Sequence, residues 1–282
     1  MALPQIFVDP LSHVSLLLQA RGNGQPLGHA TGFVVFKDGK HYLITNWHVL
    51  AGRNPVTNQP IHDSGALPDE LVVVYQRTVI QDGQEHVGWR PLNEPLNDAA
   101  GNPLWLAHAE GRKVDVGALP IAPPQEPPEP TRLNPLPLTL ANTDLFAGVG
   151  ETVSIVGFPF GLTGGGGFPI WKTGHIASEP DVDYAGSPIF LVDATTRKGM
   201  SGSPVYRRFP GIGWRTRKGT NMIMSSTVYA GGSDLARFMG VYAGRIGRIT
   251  EVNGEAVEES AELGRVWKPQ VIDQILATVP GP

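Results

Sequence analysis

The residues with the clearest chemical potential form the run Lys198-Gly199-Met200-Ser201-Gly202-Ser203-Pro204. A serine set between glycines, just before an apolar stretch, suits a nucleophile presented on a tight turn. Gly199 leaves backbone N–H groups free to approach an oxyanion with no Cβ in the way, and Gly202 relieves crowding behind the attacking oxygen. By itself the segment fits an ordinary Gly-Ser turn equally well. It does not fit the G-x-S-x-G elbow of a strand–turn–helix hydrolase, because the last position is Ser203 and no helix signal follows.

A serine hydroxyl is a weak nucleophile at neutral pH, so it needs a base, commonly a histidine oriented by a carboxylate. Of the eight histidines, His48 has the most suggestive setting, in Leu43-Ile44-Thr45-Asn46-Trp47-His48-Val49, directly after an apolar run. His13, His29, His41, His62, His86, His108 and His175 lack comparable surroundings. The carboxylate candidate is Asp115, in Lys113-Val114-Asp115-Val116-Gly117-Ala118-Leu119. An acid at the start of an apolar strand is costly unless a partner satisfies it, and His48 would do so. Asp98 lies in a polar stretch and Asp193 close to the serine turn, so both are weaker candidates.

Positioning three such groups is a task for the fold. The chain has 282 residues, enough for one large domain or two small ones and for a substantial core. Gly 35 and Pro 26 are too many breakers for a helical bundle and suit a β protein with many turns. Short apolar runs recur at Val14–Leu18, Gly32–Phe36, Tyr42–Ile44, Leu71–Tyr75, Val114–Leu119, Val153–Phe158, Ile189–Val192, Pro204–Tyr206 and Phe238–Tyr242. Their lengths predict strands. Asp38-Gly39 between two of them is a hairpin signal. Pro269 opens a helix whose apolar stripe is Val271, Ile272, Ile275, Leu276 and Val279, with Pro280 as its stop. Pro120–Pro137 reads as an extended connector, while Gly161–Gly167 and Phe209–Asp234 read as loops.

Composition excludes several classes. Lys+Arg 22 against Asp+Glu 26 leaves a net charge of −4 with no long basic run, so nucleic acid is not the expected partner. No cysteine means no disulfide scaffold, no thiol nucleophile and no Cys-ligated metal. No H-E-x-x-H occurs, and Gly164–Gly167 lacks the G-K-[ST] of a phosphate loop, so no metal or cofactor is expected. No signal peptide and no apolar run of membrane-spanning length is visible, which predicts no membrane partner and a cytoplasmic bacterial protein, with secretion as the alternative.

The order His48, Asp115, Ser201 is that of the chymotrypsin-type proteases. The chain resembles the trypsin-like serine proteases of that fold, and within them the bacterial branch of glutamyl endopeptidases and Htr-type protease domains. Ile44-Thr45-Asn46-Trp47-His48-Val49 is similar to the family's histidine segment, Asp115–Leu119 to its aspartate strand, with Gly117 where alanine is commoner, and Gly199–Val205 to its serine segment. The resemblance spans roughly residues 12–279. It implies an all-β protein of two six-stranded antiparallel β-barrels with a C-terminal helix. The expected division is residues 1–122 for a barrel carrying His48 and Asp115, 123–140 for a connector, 141–266 for a barrel carrying Ser201, and 267–282 for helix and tail.

The implied function is a serine endopeptidase acting on protein or peptide substrates without a cofactor. Ser201 would be the nucleophile, His48 the general base and acid, Asp115 its orienter, and the Gly199 and Ser201 amides the oxyanion hole. Tyr242, Ala243 and Gly244 would pair with an extended substrate, and Thr195 and Thr196 would lie near the base of the specificity pocket. Met200 stands where zymogen-type members carry an acid, so activation by a newly cut N-terminus is not expected. The alternative is a latent or inactive module that binds peptides or partners and requires a partner to become active. Pro280-Gly281-Pro282 has linker composition, which suggests a longer natural chain or a regulatory partner protein.

Overall fold

The computed structural model describes residues 8–81, 84–123, 130–143, 145–209, 235–252 and 255–278. The first half contains β1 (Ser15–Gly22), β2 (Gln25–Lys37), β3 (Lys40–Thr45), helix α1 (Trp47–Ala51), β4 (Glu70–Gln81), β5 (Gln84–Pro95), β6 (Leu106–Ala107), β7 (Gly117–Ile121) and β8 (Thr131–Arg132). The second half contains β9 (Thr152–Gly157), β10 (Ile170–Ile176), β11 (Ile189–Asp193), β12 (Pro204–Phe209), β13 (Leu235–Val252), β14 (Glu255–Trp267) and helix α2 (Gln270–Leu276).

Two barrels were expected, and only one forms. β9 to β14 close into a six-stranded antiparallel barrel in the order β10-β11-β14-β13-β12-β9. The first half is an open eight-stranded sheet ordered β5-β4-β1-β2-β3-β7-β6, with β8 pairing to β4. Its two edges explain why it stays open. β6 is only two residues long, too short to carry a closing ladder. β5 holds Pro91 and Pro95, which donate no backbone hydrogen bond and confine that strand to an edge.

Local chemistry accounts for several elements. Asp38 and Gly39 both have positive φ, 49° and 78°, as a two-residue hairpin between β2 and β3 requires. α2 begins after Pro269 and buries Val271, Ile272, Ile275 and Leu276 against β6 and β7. Each buried aliphatic side chain there contributes about 1.5–3 kcal/mol before entropy is counted. Val279 and Pro280, and most of the expected 209–234 loop, lie outside the described residues. So does 124–129 of the proline-rich stretch, although Leu136 N–H beyond it donates to Val34 C=O at 2.7 Å.

The two halves share a core. Phe33, Ile44 and Ala118 of the open sheet pack with Tyr206, Phe238, Val241 and Trp267 of the barrel and with the apolar face of α2. Phe33 and Phe238 meet edge to face, 5.6 Å between centroids. Separate clusters fill the open sheet's other face and the barrel interior. The seam between the halves is therefore closely packed and largely apolar, and groups at its rim are held by packing on both sides.

Candidate active site

β3 delivers Thr45 to the seam, and the chain turns at once into α1. Asn46 caps that helix in extended conformation, and His48 sits in its first turn. Asp115 does not open β7 as expected. It lies in the bend after the 3-10 turn Gly111–Lys113, two residues before the strand. This bend lets its carboxylate face α1. Asp115 is 4% exposed and accepts His48 N–H at 2.9 Å through Oδ1. His48 Nδ1 lies 2.8 Å from Oδ2 and 3.0 Å from Oδ1. Since a carboxylate only accepts, Nδ1 carries the proton of this bond. Asn46 Nδ2 donates to Asp115 C=O at 2.7 Å, so backbone and side chain of the acid are both fixed.

Gly117 has a packing reason. A Cβ there would come 2.6 Å from Leu50 Cδ1, so the glycine allows α1 to sit close to β7. That closeness keeps His48 within reach of Asp115.

Ser201 comes from the barrel side, on the turn between β11 and β12. Gly199 and Gly202 have φ of +95° and +84°. A side chain at Gly199 would overlap Phe158 C=O, and one at Gly202 would overlap Thr31 C=O and Thr45 Oγ1. The sequence called for glycine at both positions, and the turn uses both.

Thr31 of β2, which the sequence reading passed over, ties this turn to the open sheet. Fully buried, it donates its N–H to Ser201 C=O at 2.8 Å and its hydroxyl to Gly199 C=O at 2.8 Å. The same hydroxyl accepts from Phe158 N–H at 3.1 Å, and Thr31 C=O accepts from Thr45 Oγ1 at 2.8 Å. Thr45 is three residues from His48, so a continuous hydrogen-bonded path runs from the serine turn to the histidine segment. A lone threonine in a strand carries no sequence signal of such a role.

Lys198 C=O accepts Phe160 N–H at 2.6 Å. Because the peptide is trans and planar, the following Gly199 N–H points the opposite way. Among the described residues neither Gly199 N–H nor Ser201 N–H has a protein acceptor. Likewise no hydrogen bond joins Ser201 Oγ to His48.

The remaining expected site residues fall on two levels. Thr195, Arg197 and Lys198 are exposed at the turn's surface, and Gly244 is half-buried. Thr196, Tyr242 and Ala243 are buried, and the Tyr242 hydroxyl hydrogen-bonds Thr196 Oγ1. Burial chiefly raises the Tyr242 pKa, partly offset by the Thr196 bond. Met200 is fully buried in the barrel interior, where an acid would be stranded. His29, set aside in the sequence, is exposed beside Gly161, whose amide adjoins the Gly199 turn. Among the described residues no helix is long and apolar enough to cross a membrane, and no group of three or more His, Asp or Glu is arranged for a metal ion.

The family model for the trypsin-like peptidase domain matches residues 30–209, a span that holds His48, Asp115 and Ser201. No curated protein matches. Among solved structures, the chain is similar to the Rv3671c protease in an inactive form, at 16% identity and TM-score 0.44, covering 95% of this chain and 89% of that one. It is also similar to a serine endoprotease from Yersinia pestis, at 14% identity and TM-score 0.45, covering 97% of this chain and 67% of that one. At such identities neither the glutamyl-endopeptidase branch nor the Htr-type branch is singled out.

Proposed function

As this chain belongs to the trypsin-like peptidase domain family, we propose that it is a serine endopeptidase whose resting state is latent. The observation that carries the reading is the buried Asp115 carboxylate, which holds His48 by both its backbone N–H and Nδ1 at 2.8–3.0 Å. A packed structural histidine has no need of so directed a partner.

In the proposed reaction Ser201 Oγ forms a bond to the scissile carbonyl carbon while His48 Nε2 takes the hydroxyl proton. The carbonyl π pair moves to oxygen, where the Gly199 and Ser201 amides receive the charge. Asp115 stabilises the resulting imidazolium without taking its proton. As the tetrahedral intermediate collapses, the C–N bond breaks and His48 protonates the leaving amine. Water then repeats the sequence against the acyl-enzyme, releasing the acid and restoring Ser201.

What supports latency is that, among the described residues, Ser201 Oγ makes no hydrogen bond to His48. The acid–histidine bond and the Gly199 and Ser201 amides, which have no protein acceptor among the described residues, support the reading, in which the serine–histidine contact closes when a peptide or partner docks at the rim of the seam. A purely binding module is the limiting case, in which that contact never closes.

Labelling with a fluorophosphonate, alone and with a peptide mixture or cell extract added, tests this. Slow labelling of Ser201 that accelerates on addition, and that His48→Ala abolishes, is the expected result. Rapid labelling without addition would remove latency and leave the peptidase. Absence of labelling under every condition would leave a binding module.

A further inference from the structure

We propose that Tyr242 occupies the space into which the side chain before the scissile bond must project, so that this site takes a small residue there, such as alanine. The inference rests on the serine-peptidase reading and names its substrate class.

Tyr242 is fastened to the two residues that follow the nucleophile. Its C=O accepts Gly202 N–H at 2.9 Å, and its N–H donates to Ser203 C=O at 2.9 Å. Its hydroxyl reaches Thr196, five residues before Ser201, and both side chains are 1% exposed. The ring therefore crosses beneath the turn that carries Ser201. On its far side Gly264 of β14 makes room for it: a Cβ there would overlap the ring edge and sit 3.1 Å from Val192 Cγ2. The ring is wedged between β11, β14 and the serine turn.

The strand beside Ser201 shows where a substrate would lie. β13 pairs with β14 at Tyr242 and Val266, and next at Arg245 and Gly264, with a register shift between. Ala243 and Gly244 are thus bulged out of the ladder, with Gly244 at φ +92°. Their backbone is a docking edge for an extended peptide. Side chains alternate along an extended peptide. One whose carbonyl rests at Ser201 and whose backbone follows Ala243 and Gly244 directs that residue's side chain between the bulge and the Thr196–Ser201 turn. Tyr242 and Thr196 close that gap. With both side chains 1% exposed, the ring leaves no room for a leucine or phenylalanine side chain unless it moves, and a methyl asks for the least displacement. The floor presents two hydroxyls bonded to each other, and of the cations that act on Tyr242, Arg245 is engaged by Glu262 at 3.3 Å while Arg265 lies beside Gly264 on β14.

The test uses two otherwise identical peptide boronic acids, ending in the alanine or the phenylalanine analogue. Their affinities are measured by calorimetry against the full chain and against Tyr242→Phe and Tyr242→Ala. The parent should favour the alanine boronate by about 100-fold, the scale on which a filled pocket discriminates. Tyr242→Phe keeps the ring and the preference, while Tyr242→Ala lowers the ratio at least tenfold. The first two measurements decide the matter even if Tyr242→Ala does not fold. Comparable affinity of the parent for both boronates, or preference for phenylalanine, overturns the inference but leaves the nucleophile in place. Binding of neither refutes the serine-peptidase reading, and the inference falls with it.

Discussion

Replacing Thr31 by valine keeps the size and branching of the side chain and deletes one oxygen. That oxygen is buried and serves two backbone groups on the barrel side, Gly199 C=O at 2.8 Å and Phe158 N–H at 3.1 Å. Valine leaves both unpaired in a buried seam. At about 1–3 kcal/mol for each unsatisfied buried group, the cost is about 2–6 kcal/mol. That is a large share of the about 5–15 kcal/mol that holds a typical domain folded. With Tm moving by about 2–4 °C per kcal/mol in a domain of this size, the melting point falls by about 4–24 °C. Thr31→Ser keeps the hydroxyl and loses one methyl, about 1 kcal/mol. Thermal unfolding followed by circular dichroism measures both variants. Fluorophosphonate labelling, run well below either melting point, reads the turn itself. Valine should slow labelling at least tenfold, and serine should leave it within a factor of about two. Equal melting points and equal labelling rates for the two variants would refute the idea that Thr31 holds the nucleophile turn.

Three further outcomes follow from the geometry. Asp115→Asn should fold but lose about 10⁴-fold in peptide turnover or labelling rate, because an amide facing Nδ1 donates and drives the proton to Nε2; the scale is that seen for a triad aspartate. Gly117→Ala should cost about 1–3 kcal/mol in urea unfolding, because its methyl meets Leu50 at 2.6 Å; pairing it with Leu50→Ala should return part of that cost, and strict additivity would count against the contact. Burial raises the Glu94 pKa above the ordinary carboxylate range, partly offset by the Tyr75 hydroxyl at 2.8 Å. A raised folded-state pKa contributes stability that is present at low pH and lost as pH rises through the folded value. Glu94→Gln should therefore flatten the decline in urea midpoint as pH rises above the ordinary glutamate range, and an unchanged profile would assign that decline elsewhere.

The parts of the fold that were legible in the sequence are those with local signals. Asp38-Gly39 announced its hairpin because the turn demands positive φ, and Pro269 with the stripe through Leu276 announced α2. His48, Asp115 and Ser201 were legible as types in a recognisable order, and the structure bonds the first two directly. Non-local properties were not legible. Whether a sheet closes depends on its two edge strands, and β5, with its polar residues and two prolines, gave no apolar run to read. β13 runs ten residues past Tyr242 because its pairing with β14 continues after the apolar pattern stops. Asp115 was placed at a strand start, while the structure puts it in the preceding bend, where turning toward α1 matters more than joining the ladder. Thr31 owes its role to a partner 168 residues away, which periodicity in one chain segment does not encode.

The central claim is that the Gly199–Ser201 turn and His48 form one reaction centre across the seam. A crystal structure of the chain after reaction with a peptidyl phosphonate addresses it directly. The account predicts phosphorus bonded to Ser201 Oγ, with one phosphonyl oxygen at about 3 Å from both the Gly199 and Ser201 amides and His48 Nε2 turned to the adduct. Phosphorus on another residue, or an adduct on Ser201 whose oxygen contacts neither amide, would contradict it.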